Sequence, residues 1–190
     1  MKGAGKLNLK FNHIIHYVNQ LKSFQFPGRV LTIQSGGKHP RLGTYNKLSY
    51  INENYIELLD VEDKLMKIAK TEEECVSFAT KIAQDSFAQG FKTMCLRTDD
   101  IEKVKRRLND KGIDVIGPIK MDRENKRGDK SSWQLLYIAD PDYMVKPPFF
   151  IQWNDSDEYR EEQFKKFYQL TFTIETVIIS SEKRRDTVEN

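Results

Sequence analysis

The sequence is poor in cysteine, and it has no long hydrophobic run. Among its 190 residues only Cys75 and Cys95 are cysteines, and they lack the CxxC spacing of redox and zinc sites. No apolar stretch approaches the roughly 20 residues that cross a bilayer. The N-terminal MKGAGKLNLK is charged but has no apolar segment after it, so no secretory signal is predicted. These features predict a cytoplasmic protein that does not cross a membrane and has no disulfide.

An excess of charge of one sign is also lacking. The 31 basic and 28 acidic residues give a net charge of +3, which does not favour nucleic acid as a partner. Residues 103–111 and 120–130 are basic, but acids interrupt them or they follow a helical pattern. We therefore expect solvated faces there rather than binding patches.

What the sequence does contain is a repeated order of strands. Runs rich in β-branched and aromatic residues predict eight strands, at 11–18, 30–34, 47–52, 54–61, 91–98, 114–121, 131–140 and 149–153. Helical periodicity predicts helices at 71–90, which opens with a capping box, and at 99–112. Residues 11–61 and 91–153 then share the order strand, connection and three strands. This indicates a weak internal βαβββ repeat whose first helix is reduced to a loop.

Six stretches carry a resemblance to a known superfamily. They are FNHIIHYV (11–18), GTYNKLSYI (43–51), NYIELLDVED (54–63), LRTDDIEKVKRRLNDKGIDV (96–115), YIADPDY (137–143) and PFFIQW (148–153). With the paired βαβββ order, they resemble the vicinal oxygen chelate superfamily, which includes glyoxalase I and the bleomycin-resistance proteins, and in particular its glyoxalase-like branch. The resemblance implies an α+β fold in which two modules form an open, cup-shaped mixed sheet.

The resemblance also divides the chain. It implies a first module at 11–65, a connecting helix at 66–90 and a second module at 91–155. Residues 156–190 are predicted to be a linker followed by the start of a further, incomplete module, because 170–181 again have strand character. A strand without partners leaves an open edge, so pairing with a second chain in a homodimer is one expected outcome.

In the superfamily, a divalent metal is held in the cup by the first and last strands of each module. Strand alternation puts His13 and His16 on opposite faces, so only one can face the cup. The family pattern falls on His13 and Glu57 in the first module and on Thr93 and Gln152 in the second. His13 and Glu57 suit Zn, Ni, Mn or Fe. Thr93 and Gln152 are neutral and weak ligands, so they are expected to bind substrate, and any metal binding is expected to be weak.

Glu57 is the candidate catalytic residue. Its neighbours in the strand are apolar, and a buried carboxylate is costly unless it is paired. Pairing with His13 would satisfy both side chains and would also orient a general base. Trp133 and Tyr17 are candidates for binding substrate on the cup wall, with a place in the core as the alternative. Cys95 is expected to be a buried, inert thiol.

The stretch SGGKHPRLGT at 35–44 resembles a phosphate-binding loop, but His39 follows Lys38 where such a loop has Ser or Thr. One interpretation is that Lys38, His39 and Arg41 cover the mouth of the cup and attract an anionic ligand. The alternative is a plain surface loop.

Two functions follow from the resemblance. One is a metal-dependent lyase or isomerase that acts on a small, oxygen-rich molecule, with His13 and Glu57 holding the ion. The other is a non-catalytic protein that binds or sequesters a small molecule, as resistance proteins do. Retention of His13 and Glu57 favours the enzyme, and the loss of two of the four ligands favours the binding protein.

Overall fold

A computed structural model of the chain describes residues 6–39, 43–62, 82–83, 85–124, 130–139, 145–169 and 172–178. Its strands are β1 Leu9–Tyr17, β2 Gln34–His39, β3 Thr44–Ile51, β4 Asn54–Val61, β5 Gly90–Thr98, β6 Val115–Glu124, β7 Lys130–Ala139 and β8 Val145–Trp153. Helix α1 spans Ile101–Asn109 and helix α2 spans Asp157–Phe164, with short 3-10 turns at Pro27–Arg29 and Lys165–Phe167.

The eight strands form one mixed sheet in the order β2-β3-β4-β1-β5-β8-β7-β6. Each half repeats one pairing scheme, in which the first strand lies parallel to the last, β1 with β4 and β5 with β8. The other neighbours within each half are antiparallel. β1 and β5 pair antiparallel at the centre and join the two halves. The predicted fold class, an open curled sheet built from paired βαβββ units, is confirmed.

Helix α1 covers one face of the second half. The Asp100 side chain caps its first turn by accepting a backbone hydrogen bond of 2.8 Å. Ile101 and Val104 are each 1% exposed and pack on Leu136 and Phe150 of the sheet. The amphipathic pattern in the sequence therefore produces a helix that buries its apolar stripe.

The equivalent connection in the first half, residues 18–33, contains turns and the 3-10 turn but no α-helix. Val18 and Leu21 are buried and pack against Leu58. The backbone N–H of Leu21 donates to Asp60 Oδ2 at 3.1 Å. A loop therefore covers the outer face of this half.

Helix α2 follows the last strand and packs on the inner side of the first half. Ser156 caps it by accepting from the backbone N–H of Tyr159 at 3.2 Å. At its other end Phe164 stacks on Tyr50 of β3, with ring centroids 5.0 Å apart. These contacts hold α2 beside the inward-facing side chains of the sheet.

β2 differs from its sequence prediction. The strand lies at Gln34–His39 rather than at 30–34, within the stretch predicted to be a loop. It is an edge strand that pairs only with β3 among the described strands. Gly36 makes the close approach possible, because a Cβ there would overlap the Asn46 side chain. Glycine in an edge strand gives a turn-like signal in sequence, which explains the error.

The C-terminal strand prediction is also wrong where the structure describes it. Residues 172–178 form neither helix nor strand, and Phe172 and Ile178 are 43% and 87% exposed. Most of the helix predicted at 71–90, and all of 181–190, lie outside the described residues.

The module boundaries at 11–65, 66–90, 91–155 and 156–190 stay predictions, as do the homodimer and the cytoplasmic location. In the part of the chain that the structure describes, no helix is long and apolar enough to cross a membrane.

Candidate functional site

The inward faces of both halves of the sheet, together with α2, line a cavity that we call the cup. Its empty volume is about 780 Å³, part of which is open to solvent. Aromatic side chains form much of its wall, among them Tyr50, Tyr55, Trp133, Phe149, Trp153 and Phe164. A concave, mostly apolar lining with a few polar groups is typical of a site for a small organic molecule.

His13 and Glu57 form the polar centre of the cup. The Nε2 atom of His13 lies 3.4 Å from Oε2 of Glu57, and the two residues are only 3% and 8% exposed. In the parallel pairing of β1 with β4, Ile15 lies opposite Glu57. Since His13 and Ile15 share one face of β1, the register directs His13 and Glu57 into the same space. The structure thus brings together the two residues that the sequence analysis paired.

Neighbouring side chains fix the orientation of this pair. Asn46 Nδ2 donates to Glu57 Oε1 at 2.6 Å, and the backbone N–H of Gly37 donates to Asn46 Oδ1 at 2.7 Å. The His13 ring stacks on Tyr55, with centroids 4.4 Å apart. The glycine-rich β2 therefore positions the Glu57 carboxylate through Asn46.

The imidazole of His13 is neutral at pH 7. Burial lowers its pKa to about 4, an effect that Glu57 opposes and Arg160 strengthens. The 3.4 Å contact with Glu57 is therefore not an ion pair at neutral pH.

The hydrogen-bond network also assigns the tautomer of His13. Asn12 presents Oδ1 to Nδ1 at 2.8 Å, which puts the proton on Nδ1 and leaves the lone pair of Nε2 facing Glu57. Two acceptor atoms at this separation can share one proton. A proton delivered to Glu57 Oε2 would therefore lie between that oxygen and Nε2 of His13.

Gln152 does not face the cup. Its Oε1 accepts a hydrogen bond of 2.8 Å from the backbone N–H of Ile101, at the start of α1. Phe149 and Ile151 line the cup, so alternation along β8 turns Gln152 to the opposite face. The predicted position of Gln152 across from His13 is therefore wrong.

Thr93 and Tyr17 lie beneath the cup rather than on its wall. Thr93 is opposite Ile15 in the β1–β5 pairing, so it shares the inward side, but it is only 2% exposed and does not line the cavity. Tyr17 is fully buried, and its hydroxyl donates to Asn19 Oδ1 at 2.9 Å. For Tyr17 the core position, which the sequence left as the alternative, is the observed one.

Trp133 lies on the cup wall and is also a buried member of the core, so its role in binding substrate stays a prediction. It packs against Trp153 with ring centroids 5.2 Å apart. Cys95 is fully buried, and burial, followed by the charge of Glu57, raises its pKa well above the usual range. A thiol in this environment is not a nucleophile at neutral pH.

The structure describes two of the three polar residues predicted to cover the mouth of the cup, and one of these two lines it. His39 lines the cavity, with Nδ1 at 3.0 Å from Thr44 Oγ1. Lys38 instead forms an ion pair of 2.5 Å with Glu62. Arg41 lies outside the described residues.

The donor set does not fit a resident divalent metal. His13 and Glu57 offer one nitrogen and one oxygen, and Asn46 engages the other carboxylate oxygen. Among the described residues, no group of three His, Cys, Asp or Glu side chains is close enough to hold an ion. The charge of Arg160, which already disfavours a proton on His13, also opposes a second cation. A protein site for such an ion usually provides three or four ligands.

Asn46 and Arg160 are site residues that were not predicted from the sequence. Asn46 alternates with Thr44 and Leu48 along β3, so the period of two could have placed it on the inward face. Arg160 reaches the cup from α2, after the last strand, and its guanidinium lies 4.0 Å over the Trp153 ring. No spacing in the sequence indicates that contact, because it depends on where α2 packs.

Comparison with known proteins agrees with this architecture. The sequence profile of a family described as a glyoxalase-like domain matches residues 11–190. The crystal structure of a hypothetical protein from Staphylococcus aureus is 55% identical, with a TM-score of 0.78. The alignment covers 85% of this chain and 66% of that one, so the chain spans slightly less than two thirds of that protein.

More distant structures share the fold. A hypothetical protein from Bacillus halodurans C-125 is 17% identical, with a TM-score of 0.51 over 78% of this chain and 96% of that one. Methylmalonyl-CoA epimerase from Mycobacterium tuberculosis is 15% identical, with a TM-score of 0.50 over 78% and 89% of the two chains. No protein of curated function matches the sequence.

Proposed function

The chain belongs to the glyoxalase-like domain family of the vicinal oxygen chelate superfamily, and from this premise we propose that its cup binds a small carbonyl compound and that Glu57, with His13, transfers a proton on it. This is chemistry of the lyase and isomerase type. The observation that carries the proposal is the buried contact of 3.4 Å between Glu57 and His13 on the wall of an aromatic cavity.

Burial of the Glu57 side chain has an energetic cost. A carboxylate that is 8% exposed loses most of its hydration, and the fold retains it only with polar partners. Asn46 binds one oxygen of Glu57, which leaves Oε2 directed at His13 and the cavity. A carboxylate held in this way has the fixed geometry that a general base requires.

The proton transfer uses both residues. Glu57 Oε2 accepts a proton from the carbon next to the carbonyl group, and the electron pair of the broken C–H bond moves into an enolate. The protonated carboxyl group can then donate to the lone pair of His13 Nε2. Return of the proton to the opposite face of the carbon gives the epimer. Alternatively, the enolate electrons form a C=C bond to the next carbon, whose substituent departs with its bonding electron pair, which gives a lyase product.

A divalent ion in the cup would have His13 and Glu57 as its protein ligands, and water or substrate would complete its coordination. Proton transfer by Glu57 and His13 does not require such an ion. The metal dependence that the superfamily resemblance implies is therefore not part of this proposal.

A second function, binding without turnover, has its own support. The cup wall is mostly apolar and aromatic, which suits sequestration of a flat molecule by stacking. The two functions differ in whether a bound molecule exchanges protons with the protein.

The test is deuterium exchange in D₂O, followed by NMR. The probes are 4-methyl-2-oxopentanoate and the neutral ketone 4-methyl-2-pentanone, whose C–H groups next to the carbonyl exchange slowly alone. Wild-type protein should accelerate exchange, and Glu57→Gln should lower the acceleration by about 100-fold, because positioned bases contribute at that scale.

Glu62→Gln is the matched control, because Glu62 is an exposed glutamate on the same half of the sheet. It should leave exchange unchanged. Equal exchange in wild type and Glu57→Gln would contradict the proposal, whereas binding without exchange in wild type would establish sequestration.

A further inference from the structure

From the position of Arg160 we infer that the cup selects small organic carboxylates with an apolar body. This inference rests on the proposed function, since it names the substrate class of the same site. Arg160 is the one buried residue of α2, and it lines the cup. A helix that packs on a protein usually buries apolar side chains, so a cation in that position requires a separate explanation.

The fold holds Arg160 in place from both ends of α2. The Ser156 cap fixes the first turn, and Phe164 stacks on Tyr50 at the other end. The guanidinium then lies 4.0 Å over the Trp153 ring. Arg160 is only 8% exposed, so this is a built position rather than that of a solvated surface arginine.

Arg160 has no protein counter-ion in the part of the chain that the structure describes. Its buried Nε has no hydrogen-bond partner, and none of the described carboxylates forms an ion pair with its guanidinium. The neighbouring acids Asp157 and Glu53 are instead paired with Arg97, at 2.7 and 3.8 Å. A buried cation without an anion is unfavourable, and an anionic ligand in the cup would supply the missing charge.

The chemistry of the cup points to a carboxylate on an organic body. The planar guanidinium matches a carboxylate in shape and donates to both of its oxygens. Aromatic side chains form much of the remaining wall, so the body of the ligand should be largely apolar. Glu57 lies in the same cup and repels an anion, so the carboxylate is directed to Arg160 and the uncharged reactive carbon can approach Glu57.

Intrinsic fluorescence provides a direct measurement, because both tryptophans of the chain, Trp133 and Trp153, line the cup. The probes are 3-phenylpropanoate and its neutral analogue 3-phenylpropanamide. Wild-type protein should show saturable quenching, with the acid binding about tenfold more tightly than the amide, as expected for a good charge-assisted pair.

Variants separate recognition from packing. Arg160→Met should abolish the preference for the acid and leave amide binding unchanged. Arg160→Lys should retain part of the preference, because lysine keeps the positive charge but lacks the planar guanidinium that binds both carboxylate oxygens. Arg160→Met should melt at the same or a higher temperature, since an apolar side chain of similar volume removes an unpaired charge. Arg106→Met, an exposed position on α1, is the matched control and should behave as wild type.

Several results would overturn the inference. They are equal affinity of wild type for acid and amide, an unchanged acid preference in Arg160→Met, and no saturable quenching by the acid. Displacement of the acid by an equal concentration of inorganic phosphate would do the same, because it would show a general anion site. Deuterium exchange of the neutral ketone does not require Arg160. If the wild-type protein fails to accelerate that exchange but still prefers the acid to the amide, proton transfer is refuted and the selection of carboxylates is not.

Discussion

Replacing His13 with glutamine should make the protein less sensitive to acid. The pKa of His13 is lowered from 6.5 to about 4 in the fold, mainly by burial. Between pH 6.5 and pH 4 the unfolded chain therefore binds a proton that the folded chain does not. The stabilisation is present above pH 6.5 and is lost as the pH falls toward 4.

The size of the effect follows from the shift. Each pKa unit corresponds to about 1.4 kcal/mol, so the stability of the wild type should fall by about 2 kcal/mol between pH 7 and pH 5 and by about 3 kcal/mol by pH 4. His13→Gln does not titrate and should lack this loss. Glu57 and Arg160, the charged groups that act on His13, remain in the variant, and the other carboxyl groups contribute to both proteins.

The assay is urea unfolding at several pH values with a metal chelator present. Burial and then Lys92 also lower the pKa of His16, but His16 is only half-buried, so His16→Gln is a suitable control with a smaller effect. Parallel stability profiles for wild type and His13→Gln between pH 7 and pH 5 would refute the assignment of a buried, neutral His13.

Two further predictions concern residues that the family pattern assigned to the metal. Gln152→Ala should lower the free energy of unfolding by about 1 kcal/mol, because it removes a hydrogen bond from the first turn of α1. It should leave fluorescence quenching by 3-phenylpropanoate unchanged. A loss of binding without a loss of stability would contradict the observed position of Gln152. Calorimetric titration with Zn²⁺ or Ni²⁺ of protein that has been freed of metal with a chelator should show at most weak binding, which His13→Ala removes. Stoichiometric zinc kept through purification would point to ligands other than His13 and Glu57.

Local patterns were sufficient to predict most of the sheet. Alternation in FNHIIHYV placed His13 and His16 on opposite faces, and the structure has His13 buried in the cup and His16 outside it. The cap and apolar stripe of α1 were equally clear, because both depend on neighbours within a few residues. β2 was misplaced because its glycines, which allow contact with Asn46, have the composition of a turn.

The parts of the site that sequence could not predict depend on packing between distant elements. Gln152 was assigned to the cup by the family pattern, although Ile151 of the same strand faces inward. Arg160 depends on α2 folding back on Tyr50, a contact between side chains more than 100 residues apart. Neither the period of a strand nor that of a helix contains such information.

The most direct test of the site is the structure of the protein bound to 4-methyl-2-oxopentanoate. We predict that the ligand lies in the cup, with its carboxylate at the Arg160 guanidinium and its C3 carbon within about 3.5 Å of Glu57 Oε2, the separation needed for proton transfer. A ligand bound outside the cup, or one whose C3 carbon faces away from Glu57, would contradict the account.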